Sequence, residues 1–258
     1  MCLILIAHQL TGQIPLLVLA NRDEFYARPT AAAAPWDECS ELIAGRDLVS
    51  GGSWFGARGT RWASVTNIRE GIKSNHHSSR SRGWLVRDYL LGNDPPQDFL
   101  AGMAESVSEY AGFNLLLGDG DELWYNANRN VPGKRLEPGI YGLSNHLLDS
   151  PWPKVERGKR SMHELLSRDP LDLTQPDLDL DRAFAIMADT SRAADSELPD
   201  TGIPLEWERA LSAAFITKND YGTRCSTLLT RSVSGKHVFI ERRFTGEPDT
   251  WDQCDFTW

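Results

Sequence analysis

Chemistry in this chain begins at its second residue. Cys2 follows Met1, and a small second residue permits removal of the initiator methionine, which would leave a thiol and a free α-amine on one residue. Such a residue is a nucleophile carrying its own base. An α-amino group titrates at about 7.7 to 8.0 and a thiol at about 8.5, so near neutral pH the amine can take the thiol proton. A second cluster, Asn21-Arg22-Asp23-Glu24, stands directly after the apolar run Leu16-Leu17-Val18-Leu19-Ala20. Burying such groups is costly unless they reach solvent or one another. A cationic neighbour such as Arg22 favours a thiolate and disfavours a protonated amine, while Asp23 or Glu24 can hold the amine by hydrogen bonds. The plainer alternatives are a strand end emerging into water, and a Cys2 that is merely a small buried residue behind a retained Met1.

The elements that must position these groups are legible in outline. Leu3-Ile4-Leu5-Ile6-Ala7 and residues 16–20 are short apolar runs separated by Thr11-Gly12, the pattern of two buried strands in a hairpin. A turn near Gly12 pairs residues whose numbers sum to about 23 to 25, which sets Cys2 opposite Asn21, Arg22 or Asp23 across roughly 5 Å of sheet. Trp54-Phe55 and Trp62-Ala63-Ser64-Val65 predict a second hairpin, residues 113–117 and 123–125 a third around Gly118-Asp119-Gly120, and residues 227–231 and 237–241 a fourth around Ser234-Gly235. Helical spacing predicts about five helices. Phe99, Met103 and Val107 follow Asp94-Pro95, Trp152, Val155, Met162 and Leu166 form a stripe, and Trp207, Ala210, Leu211 and Ala214 another; residues 81–91 and 181–190 are weaker. Doubly buried strands and amphipathic helices in one chain predict an α+β fold, a four-layer αββα sandwich of two largely antiparallel sheets. No linker or repeat interrupts residues 1–258, so a single domain is expected.

A net charge of −9 and a pI near 5.2 argue against a nucleic-acid partner, whose binding draws on a basic surface. No Lys or Arg precedes Arg22, and the first apolar run is too short for a signal core or a membrane span, so a cytoplasmic location is expected. Cys2, Cys39, Cys225 and Cys254 form no C-x-x-C pair, so neither a zinc framework nor a disulfide scaffold is predicted, and no metal or cofactor. His76-His77 lie in the polar stretch from Lys73 to Arg82, read as an exposed loop.

Met1-Cys2, Ala20-Asn21-Arg22-Asp23-Glu24, Ser50-Gly51-Gly52-Ser53-Trp54-Phe55-Gly56, Thr66-Asn67-Ile68-Arg69-Glu70, Ser81-Arg82-Gly83, Gly142-Leu143-Ser144-Asn145, Pro151-Trp152-Pro153-Lys154 and Tyr221-Gly222-Thr223-Arg224-Cys225-Ser226-Thr227 together resemble the NRDE family, also called the transport and Golgi organisation family. The resemblance spans nearly the whole chain. It implies kinship with N-terminal-nucleophile hydrolases and their αββα fold, and points to cysteine amidases of the choloylglycine and penicillin V acylase type. Carried over, their catalytic roles fall on Cys2, Arg22, Asp23, Asn145 and Arg224. Those amidases space Arg and Asp differently from the adjacent pair here, so which side chain faces Cys2 stays open. Asn145, aided by Asn67, would donate to an oxyanion. Trp54 could line an acyl groove, with Asn21 and Glu24 as substrate-facing candidates, and a linear amide is the expected substrate. Two other readings stand beside this one. The pocket could serve a non-catalytic carrier of a hydrophobic small molecule, haem or a lipid, with no candidate haem contact beyond Cys2, His8, His146 or the Met residues. The chain could also be a secretory-pathway organisation factor.

Overall fold

The computed structural model describes residues 2–10, 14–71, 78–168 and 178–258. Thr11-Gly12 and His76-His77 lie outside the described residues. The chain opens with β1 (Cys2–His8) and β2 (Leu16–Phe25), then β3 (Thr30–Trp36), β4 (Cys39–Asp47), β5 (Phe55–Arg58) and β6 (Arg61–Asn67). Helices α1 (Gly83–Leu91) and α2 (Pro96–Gly102) precede β7 (Phe113–Asp119), β8 (Glu122–Ala127), β9 (Val131–Arg135) and β10 (Gly139–Leu143). Helices α3 (Pro153–Leu166), α4 (Leu178–Met187) and α5 (Leu205–Leu211) lead to β11 (Tyr221–Arg231), β12 (His237–Phe244) and β13 (Trp251–Thr257). The result is an α+β fold with two antiparallel sheets, as the sequence predicts.

The chain divides into two compact units. The first holds Met1–Ala27, Pro138–Ser144 and Leu148–Trp258; the second holds Arg28–Glu137 and Asn145–Leu147. The first unit carries a six-stranded sheet in the order β10-β1-β2-β11-β12-β13. Period-two alternation sorts its side chains: Leu3, Leu5, Leu17, Leu19 and Leu228 join Val155, Met162, Leu180 and Phe184 of α3 and α4 in one apolar core. Ile4, Ile6, Val18 and Ala20 on the opposite face are buried as well, so these strands read as continuous apolar runs. Pro153 opens α3, where its missing N–H costs nothing and its fixed φ suits the first turn. Gly158 lets α3 settle on β1, since a Cβ there would come 2.7 Å from Leu5 Cδ1.

The second unit carries a seven-stranded sheet in chain order, β3 through β9. Leu85, Val86, Tyr89 and Leu90 of α1 pack on Leu42, Ala44, Ala63, Leu115 and Leu117. The hairpin expected around Gly118-Asp119-Gly120 forms between β7 and β8, but its turn is narrower: Gly118 and Asp119 belong to β7 and the chain reverses at Gly120, whose φ of 55° suits glycine. Gly118 is needed for space instead: a Cβ there would meet the Trp62 ring 1.9 Å away. The helix expected along Phe99, Met103 and Val107 is shorter than its stripe. It stops at Gly102, yet Met103 stays in the core and Val107 packs against it from a 3₁₀ turn.

Candidate active site

The first hairpin realises one of the three registers open in the sequence: Cys2 pairs with Arg22, and the series continues through Ile4 with Ala20 to His8 with Leu16. Cross-strand partners share a sheet face, so the position of Cys2 faces with Arg22, Ala20 and Val18. The polar cluster is no fraying strand end. Strand β2 runs on to Phe25 because β11 pairs along it from Leu16 to Phe25, and Asn21, Arg22 and Asp23 are all buried. Arg22 lies 3.8 Å from Glu24, a half-buried carboxylate that also accepts the Phe25 N–H.

Asn21 and Asp23 face the helices. The Asn21 amide donates to Met187 O at 2.8 Å and Ala214 O at 2.9 Å, and its oxygen accepts from Ser226 Oγ at 2.5 Å. This amide is committed to the fold, so a substrate could engage it only by displacing one of these partners. Asp23 is 2% exposed and its Oδ1 accepts from Thr223 Oγ1 at 2.7 Å. Burial raises the Asp23 pKa above its ordinary value, opposed by the charges of Lys154 and Arg22 and by the Thr223 hydrogen bond. Lys154, in the first turn of α3, is itself 1% exposed. Its signal in the sequence is the Pro151-Trp152-Pro153 helix start, which fixes residue 154 in a first turn.

Between Thr223 and Cys225 the pairing of β11 with β2 shifts by one residue, and Arg224 is the extra residue of this bulge. A bulge re-aims a side chain out of the alternation. Arg224 Nη1 donates to Phe25 O at 2.9 Å and Tyr26 O at 3.2 Å, gripping the end of β2. Burial, followed by the charge of Arg22, lowers the Arg224 pKa from its ordinary value. Cys225 is buried and pairs with Arg22 on one side and Arg243 on the other.

Asn21, Arg22, Asp23, Glu24 and Arg224 thus gather in the first unit around the strand position of Cys2. Asn145, Asn67 and Trp54 belong to the second. There, Asn145 is fully buried, its amide donates to Asn67 O at 2.9 Å, and its own carbonyl accepts the Arg69 N–H at 2.8 Å. Asn67, the last residue of β6, is exposed, and the half-buried Trp54 ring covers Gly45, where a Cβ would meet it at 2.3 Å. Among the described residues no group of three or more His, Cys, Asp and Glu could hold a metal ion, and no helix is long and apolar enough to cross a membrane. His8 is buried and His146 exposed.

A family model described as Transport and Golgi organisation 2 matches residues 1–246. A Transport and Golgi organization protein 2 homolog of Bos taurus is 33% identical over 92% of this chain and 90% of its own. The homolog of Homo sapiens is 32% identical over 88% and 86%, and Transport and Golgi organization protein 2 of Drosophila melanogaster is 25% identical over 91% and 88%.

Proposed function

This chain belongs to the Transport and Golgi organisation 2 family, and we propose that it acts as an N-terminal-cysteine hydrolase of linear amide bonds. The observation that carries the reading is the register pair of Cys2 with Arg22, set beside the buried Asp23 and the bulge-borne Arg224. With Met1 removed, the Cys2 α-amine takes the thiol proton as sulfur attacks the amide carbonyl, then passes it to the departing nitrogen. A thioester and a free amine result. The same amine then activates water, whose attack releases the acid and restores the thiol. Arg22 favours the thiolate, and Asp23 orients the amine. The family resemblance assigns the oxyanion donor to Asn145, and removal of one such donor costs about 2.7 to 4 kcal/mol of transition-state stabilisation in enzymes where it has been measured.

The test is the intact mass of the purified protein before and after a thiol-reactive probe, with peptide mapping and a Cys2→Ala control. Loss of Met1 with labelling of Cys2 faster than Cys39, Cys225 and Cys254 is the expected result. A retained Met1 with an inert Cys2 would exclude the mechanism. The relatives' names favour a second reading, a role in organising transport and the Golgi. Under it, Cys2→Ala would leave function in cells intact.

A further inference from the structure

One row of cross-strand partners runs over the face that carries Arg22. Cys2 on β1 pairs with Arg22 on β2, Arg22 with Cys225 on β11, and Cys225 with Arg243 on β12. Cys225 is small and buried, so Arg22 and Arg243 flank a low, apolar step in the sheet. Arg224 projects from the bulge beside this row, close enough that the charges of both arginines act on it. The three differ in what occupies them. Arg22 has Glu24 at 3.8 Å, and Arg224 holds the carbonyls of Phe25 and Tyr26. The Arg243 side chain is exposed and makes no hydrogen bond or ion pair among the described residues; Asp252 is its cross-strand neighbour on β13. A planar guanidinium fork without an internal partner matches the two oxygens of a carboxylate or phosphate.

We infer that Arg243, with Arg224 beside it, is an anion-binding subsite, so that the molecule handled at Cys2 carries a compact oxyanion, carboxylate or phosphate, about three strand spacings, ~14 Å between backbones, from the attacked carbon. This assignment of substrate class rests on the hydrolase reading, but the subsite is separable from catalysis because no residue of the proposed chemistry needs Arg243.

The test is equilibrium binding, read by ligand-observed NMR on the full chain and on its Cys2→Ser variant, of 6-acetamidohexanoate against its uncharged methylamide, with inorganic phosphate as competitor. The acid is expected to bind about tenfold or more tightly than the methylamide, a difference of about 1.4 kcal/mol. Arg243→Gln should abolish that preference and Arg243→Glu should invert it, both at an exposed position where folding is not at stake. Displacement by phosphate would assign the subsite to phosphate as well as carboxylate, and failure to displace would assign it to carboxylate. Equal affinity for acid and methylamide, or a preference that survives Arg243→Gln, would overturn the subsite. A chain that binds the acid with this preference yet turns over no amide keeps the subsite and loses the hydrolase reading.

Discussion

Asp23 is a carboxyl buried to 2% exposure, with the charge of a lysine buried to 1% acting on it. Burial wins over the opposing charges, and its pKa rises from 3.8. The folded protein therefore holds this proton to a higher pH than the unfolded chain does. From pH 3.8 up to the raised value the folded state binds more protons, so the contribution of Asp23 to stability falls as pH increases and levels off above that value. Asp23→Asn cannot ionise, and its amide oxygen can still accept the Thr223 hydroxyl. Urea midpoints of the two proteins across this range should show the variant gaining on the wild type as pH rises, then a plateau. A difference that stays flat would mean that Asp23 ionises as readily folded as unfolded, and one that shrinks that it ionises more readily folded. If Asp23 also orients the Cys2 amine, the more stable variant will be the poorer hydrolase, the usual exchange at a strained functional group.

Strand β2 is the element on which the site depends, and Asn21 fastens it to what lies over it. Its amide joins the last residue of α4, Met187, and the segment after α5 at Ala214, while accepting from Ser226 on β11. Asn21→Ala strands two buried carbonyls and a hydroxyl, so a loss of about 3 kcal/mol is expected in urea unfolding, with faster amide exchange at the end of α4. A cost below about 1 kcal/mol would show that water or local movement replaces the amide. The sequence carried the core of this element but not its extent. Hairpins with apolar runs and glycine turns were legible, and turn arithmetic brought Cys2 within one residue of its partner. The burial of Asn21 to Asp23, the bulge at Arg224 and the burial of Lys154 were not, because each depends on pairing or packing with residues more than a hundred positions away. Strands β3, β9 and β13 carry no run of large apolar residues: β3 is largely alanine with Pro35, β9 holds Pro132-Gly133, and β13 is mostly exposed. Proline is tolerated there because β3 and β9 are edge strands.

At the scale of the whole chain, the two sheets differ in how they are drawn from the sequence. The seven-stranded sheet is a meander, each strand pairing with its successor, and α1 and α2 are inserted between β6 and β7 without altering the order. The six-stranded sheet joins both ends of the chain: β2 lies against β11, and hydrogen bonds across that seam link residues 200 and 205 positions apart. Loop-closure entropy grows with the logarithm of loop length and must be met before distant contacts return any stabilisation, so local pairings form sooner. The meander should therefore fold first and the β2–β11 seam last. Pulse-labelled hydrogen exchange during refolding should show protection at Leu115 and Leu117 of β7 before Leu19 of β2 and Leu228 of β11. Protection arising together at all four would mean that the seam belongs to the folding nucleus. The order bears on the proposed function, because Arg22, Asp23 and Arg224 meet only at that seam: an intermediate with a finished meander would hold no assembled site, and if the chain is the proposed hydrolase its activity should recover with the slow phase rather than the fast one.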